Sequence, residues 1–108
     1  MIHPLVAQLY FTRSEWLRGL EGLSEADAAK HLGPMNCISW LVGHLAWQEQ
    51  HYWLHLAQGK TLYPDLFSLY AYGKPKSTPS LADVQKKWLD VTHATCSYLD
   101  KLTTADLH

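Results

Sequence analysis

From Cys37 to Gln58 the chain carries a single charged side chain, Glu49, when its histidines are counted neutral. Leucine, isoleucine, valine and aromatic residues recur there at helical spacing, with Asn36 as a natural N-cap and Gly59 as a stop. The spacing predicts a helix over Cys37–Gln58, ~30 Å long at 1.5 Å per residue. A helix with so little charge has no side suited to water and must be covered over most of its circumference. That requirement, more than any other feature, forces the chain toward a bundle of helices.

Two further helices are legible. Leu5, Leu9, Trp16 and Leu20, with Val6, Tyr10 and Leu17 beside them, predict a first helix over residues 4–21, opened by Pro4, whose missing N–H costs nothing at a first turn. Gly22 can end it, and Ser24-Glu25-Ala26-Asp27 is a capping signal for a short helix through Lys30. Gly33-Pro34 marks a turn. Ser80 with Asp83 caps a third long helix reaching about Leu102 on Leu81, Val84, Trp88, Val91, Thr95, Leu99 and Leu102. The connection 59–80 carries Leu62, Tyr63, Leu66, Phe67, Leu69, Tyr70 and Tyr72. It is too apolar for a linker and should pack across the bundle with a helical turn of its own. No strand-like alternation, repeat or low-complexity tract appears. The fold class is therefore all-α, an up-down helical bundle of three long helices and a short one.

At 108 residues the chain is one domain, 1–108, long enough to bury a core without staples. Five Trp and six Tyr argue for a core or an interface built on large rings. A net charge of −1 leaves no basic field for nucleic acid. Cys37 and Cys96 form no metal-binding pattern and read as thiols that pack like small hydrophobes rather than as a disulfide. The N-terminal residues lack a signal peptide's basic start and cleavage site, and no apolar run is long enough to span a membrane, so a cytoplasmic protein is expected.

The chemistry-bearing residues cluster in "GHLAWQEQHYWLH", Gly43 to His55. On a helical wheel Ile38, Leu41, Val42, Leu45, Tyr52, Trp53 and Leu56 share one broad face, the expected core face, with Glu49 in its middle. Cys37, His44, Gln48, His51 and His55 form a second stripe flanked by Trp40 and Trp47. His51 and His55 are one turn apart and could reach one ion, but His44 lies ~10.5 Å further along the axis from His51. Zn²⁺ wants at least three protein ligands, so packing of these histidines and metal binding both remain open. Glu49 needs a partner in an apolar face: either an ion pair or indole N–H, or a role as a base or as the group that orients a ligand histidine.

"MNCISWLVGHLAWQEQHYW", Met35 to Trp53, resembles the second-helix signature of DinB-like (DinB/YfiT-type) proteins. "LVAQLYFTRSEWLRGLEGLSEADA" and "STPSLADVQKKWLDVTHATCSYLDKLTTADL" are similar to that family's first and third helices, and "YAYGKPKSTPS" to its connection, so the resemblance runs along essentially the whole chain. It implies a four-helix bundle whose members often bind Zn²⁺ or Ni²⁺ through one helix-two histidine and an H-x3-H pair on helix four. Some related members use low-molecular-weight thiols, and others are labelled hydrolases. By position His44 matches the helix-two ligand and Glu49 the acidic position after it, whereas His51 and His55 sit on the wrong helix for the family pair.

The sequence stops at His108, about where the fourth helix would begin, so that helix is expected to be absent or supplied by a partner chain. Gln48, with Trp40 and Trp47, would then border an interface or pocket. Two readings follow. One is a homodimeric, non-catalytic or vestigial scaffold with an incomplete metal site, or none, and room for a small apolar ligand between its aromatic faces. The other is a divalent-metal-dependent hydrolase or thiol transferase whose ligands are completed across the dimer.

Overall fold

A computed structural model describes residues 2–30, 37–71, 77–103 and 105–107. The expected turn at Gly33-Pro34, the Asn36 cap, Tyr72 and His108 lie outside the described residues. Helix α1 spans Pro4–Leu20, with Pro4 in its first turn and the His3 ring accepting the Leu5 N–H at 3.1 Å. The short α2 covers Glu25–Ala28, and Ser24 caps it by accepting the Asp27 N–H at 3.0 Å. Helix α3 runs Ile38–Gln50 and continues as a π-helix over His51–Leu56, so the expected single helix is present with a wider winding in its last third. Cys37 occupies its N-cap position, with no side-chain cap bond.

The apolar connection carries α4, Asp65–Tyr70, a six-residue helix where a single turn was expected. Helix α5 spans Leu81–Leu99, and Ser80 accepts the Asp83 N–H as its sequence promised. A turn of 3₁₀-helix, Ala105–Leu107, follows. The two glycines that stop helices, Gly22 and Gly59, take φ of 75° and 69°, which a side chain would resist. No described helix is long and apolar enough to cross a membrane.

The start of α3 lies beside the segment before α5, where the Cys37 thiol donates to the Ser77 carbonyl at 3.3 Å. Its far end brings Trp53 against the cluster of Val6, Leu99 and Leu102. Helices α3 and α5 therefore run the same way, α1 runs against both, and the segment holding α4 is the crossover that parallel neighbours require. All seven residues expected in the core on α5, Leu81 through Leu102, are buried. On α1 the buried positions are Val6, Arg13 and Leu20, each seven residues from the next, while Leu5, expected inside, is 59% exposed.

The expected core face of α3 is where the sequence reading fails. Val42 is buried, but Ile38, Leu41, Leu45 and Trp53 are only half-buried, and Tyr52 and Leu56 are exposed. The chain instead buries Ser39, Trp40, Val42, Gly43, Ala46 and Gln50, then Leu54. The reason is close approach: small residues at 39, 43 and 46 let α4 and α5 lie against this helix. A Cβ on Gly43 would sit 2.9 Å from the Tyr70 ring, so only glycine fits. Where the neighbours come closest, size overrules hydrophobicity in deciding which face goes inward.

Candidate functional site

His44 is built into α3 one turn after Trp40 and one turn before Trp47. Its ring stacks on Trp40 with centroids 5.1 Å apart and planes 12° apart, and it tilts against Trp47 at 5.6 Å. Trp47 stacks on His51 at 5.2 Å, and His51 on His55 at 5.8 Å with planes 19° apart. Trp40, His44, Trp47, His51 and His55 thus form a ladder of five rings up one side of α3. Spacings of three and four residues bring each ring over the one a turn before it.

The Tyr70 carbonyl fixes how His44 sits. His44 Nδ1 lies 2.7 Å from that oxygen. A carbonyl can only accept, so Nδ1 carries a proton, and in the neutral ring the lone pair is on Nε2. This is the tautomer and the type of support a metal-ligating histidine takes. Tyr70 is itself pinned: its ring lies over Gly43, edge-on to Trp40 with centroids 6.3 Å apart.

Glu49 faces away from this arrangement. Its carboxylate forms an ion pair with Arg13 of α1, and Arg13 also donates to the Thr95 hydroxyl of α5 at 3.1 Å. The Arg13 guanidinium lies 5.7 Å from the centre of the Tyr10 ring. The Tyr10 hydroxyl donates to Asp100, and burial first, then that bond, pushes the phenol well above its ordinary range. The group that orients His44 is therefore the Tyr70 carbonyl, while Glu49 ties α1 to the other two long helices.

Trp40 is only 5% exposed and belongs to the core, so it does not border an open surface. Trp47, His51 and His55 line a groove of about 260 Å³, closed on its other side by Thr61, Pro64 and Phe67. Gln50 at its base is buried: its carbonyl oxygen accepts the N–H groups of Leu62 and Tyr63 at 3.1 and 2.7 Å, and its amide donates to the Tyr63 carbonyl at 2.9 Å. That clamp seats the crossover beside the ladder. Gln48 lies half-buried in a different dent, of about 170 Å³, with Leu45, Glu49, Tyr52 and Trp53.

The donor set of a metal does not converge here. An ion lies in the plane of each imidazole that ligates it, at ~2.0–2.1 Å from nitrogen for Zn²⁺. His51 and His55 lie face to face, which directs their nitrogens alongside one another rather than to a common point. Glu49 is held by Arg13, and among the described residues no three His, Cys, Asp or Glu side chains gather where an ion could sit. His44 offers one ligand, and the residues described do not supply the rest.

Sequence reasoning missed Arg13, Tyr70 and Gln50. Arg13 had a readable signal, since it shares a seven-residue spacing with Val6 and Leu20. Gly43 beside His44 signalled a close neighbour without saying that the neighbour would be Tyr70. No curated protein and no solved structure matches the chain. The family model of the DinB superfamily matches residues 5–108, almost the full length. With an all-α bundle beneath that match, the chain belongs to the DinB superfamily.

Proposed function

We propose that this chain is a DinB-superfamily scaffold that associates with a second copy and keeps one metal-ligand position, His44, without a reaction centre of its own. The observation that carries this reading is the ring ladder. Each histidine along α3 is engaged as a flat packing surface, and the acidic residue nearest to His44 in sequence is committed to Arg13. The groove between Trp47 and Phe67 is the place for a small apolar ligand. Half-buried and exposed apolar residues along α3 favour a partner of the same kind.

A second reading draws on His44 itself. Its supported Nδ1–H and free Nε2 suit a divalent-metal-dependent enzyme, a hydrolase or thiol transferase, that takes its remaining ligands from another chain. Native mass spectrometry of protein purified without chelator or nickel resin separates the two. The scaffold reading expects a dimer whose mass is that of protein alone and does not change with one equivalent of added Zn²⁺ or Ni²⁺. A dimer holding about one ion per chain, lost in His44→Ala, would overturn it in favour of the enzyme.

A further inference from the structure

Leu41, Leu45, Gln48, Tyr52 and Leu56 follow one another along α3 at steps of four, three, four and four residues. None is buried: the first three are half-covered, Tyr52 is 54% exposed and Leu56 62%. Steps of three and four draw a straight seam on a helix, the pattern by which one helix lies along another. These are also residues whose periodicity placed them inside, or, for Gln48, beside that face. A surface that reads as core in the sequence and stands half open in the folded chain is one that something else covers.

The seam has a centre. Reversed end for end about the point between Gln48 and Glu49, its four other positions map onto one another, Leu45 exchanging with Tyr52 and Leu41 with Leu56. A two-fold axis makes every contact twice, i to j and j to i, and so needs a patch that is its own complement. The relief supports the same operation: the 170 Å³ dent lined by Leu45, Gln48, Glu49, Tyr52 and Trp53 lies next to the projecting Tyr52 ring. Antiparallel pairing sets each Tyr52 beside Leu45 at the partner's dent. Charge narrows the choice of occupant. Between Ile38 and Gln58 the only charged side chain is Glu49, and Arg13 already neutralises it, so a charged partner finds nothing here to pair with. An equally uncharged helix face suits it, and α3 of a second copy is one.

We infer that two copies of this chain pair through antiparallel α3 helices, with Gln48 beside the two-fold axis and Tyr52 of each set against Leu45 of the other. This rests on the self-association proposed above and gives that association its surface. The test uses the full chain, with a Cys96→Ser background for cross-linking. Gln48→Cys places one thiol per chain beside the axis, so mild oxidation should give a covalent dimer, whereas Ala94→Cys, exposed on α5, should not. Tyr52→Glu and Leu56→Glu, both at exposed positions, should stay folded by circular dichroism and weaken dimerisation at least about tenfold in sedimentation equilibrium. If the wild type is dimeric but neither glutamate variant weakens it and Gln48→Cys does not cross-link, this surface is wrong and self-association stands. If the wild type is a monomer at high micromolar concentration, self-association falls and the surface with it.

Discussion

A carboxylate on the apolar side of a helix persists only with a partner, and Glu49 has one that decides what the residue can do. Arg13 donates to it from two nitrogens and to Thr95 from one of them, joining the three long helices at one point. Both side chains are largely removed from water, at 9% and 16% exposure, unlike the surface pairs Arg18–Glu15 and Lys86–Asp90. Taking one partner from a pair like this leaves a charge without compensation, while replacing both with apolar groups of similar size costs little. Arg13→Met should therefore lower unfolding free energy by about 3–5 kcal/mol. The double variant Arg13→Met/Glu49→Leu should recover most of that loss, because the Thr95 hydroxyl keeps its own bond to the Thr92 carbonyl at 2.7 Å. Urea denaturation of the wild type, the two single variants and the double checks this. A double variant no more stable than Arg13→Met would show that the charges themselves, rather than their mutual satisfaction, hold the helices together.

The start of α5 is held by a residue from another element as well as by its own cap, Ser80. The Glu25 carboxylate in the first turn of α2 accepts the N–H groups of Leu81 and Ala82 at 2.7 and 2.9 Å, bonding two donors that α5 cannot satisfy within its own first turn. The Ala82 and Leu81 N–H groups hold its pKa below the ordinary 4.5. A depressed carboxylate contributes its stability above the unfolded value and loses it as pH falls through the folded one. Glu25→Gln should thus lower the melting temperature at neutral pH, and the gap to wild type should narrow below about pH 4, which melts across a pH series would show. A gap independent of pH would mean that Glu25 acts through shape alone. The same dependence on distant partners explains what the sequence could reveal. Helix α5 buries one stripe, so its pattern named six of its seven buried residues, all but Thr92, and Leu102 just past its end. Helix α3 is approached from more than one side, and Gly43 and Ala46 go inward because they are small, which hydrophobic periodicity does not register. The motif singled out His44, but not which of its nitrogens carries a proton. The oxygen that fixes that proton belongs to Tyr70, 26 residues further along a stretch expected only to pack across the bundle.

At the scale of the whole molecule the three long helices are not equivalent. Helices α3 and α5 lie closest, share the main core through Val42, Ala46, Val84, Trp88 and Val91, and have α4 laid across them. Helix α1 reaches them through longer side chains: Val6 into the second cluster, Arg13 into the ion pair, and Trp16, Leu17 and Leu20 onto the edge of the core. Leu5 and Phe11 on this helix are 59% and 64% exposed, and open grooves flank it on both sides, toward α5 at Leu89 and Cys96 and toward α3 at Ile38 and Leu41. A helix with few buried apolar anchors opens more readily than the pair it leans on, and its amides exchange through that partial opening rather than through global unfolding. In native-state hydrogen exchange the middle of α1 should therefore exchange at least about tenfold faster than the middles of α3 and α5. Arg13→Met should speed exchange in all three helices by similar factors, because the opened and unfolded states have both already lost the Arg13–Glu49 pair and the loss falls on the closed state alone, so α1 stays the fastest of the three. Equal protection in all three helices would mean that the bundle opens only as one unit and that Arg13 serves global stability rather than the docking of α1.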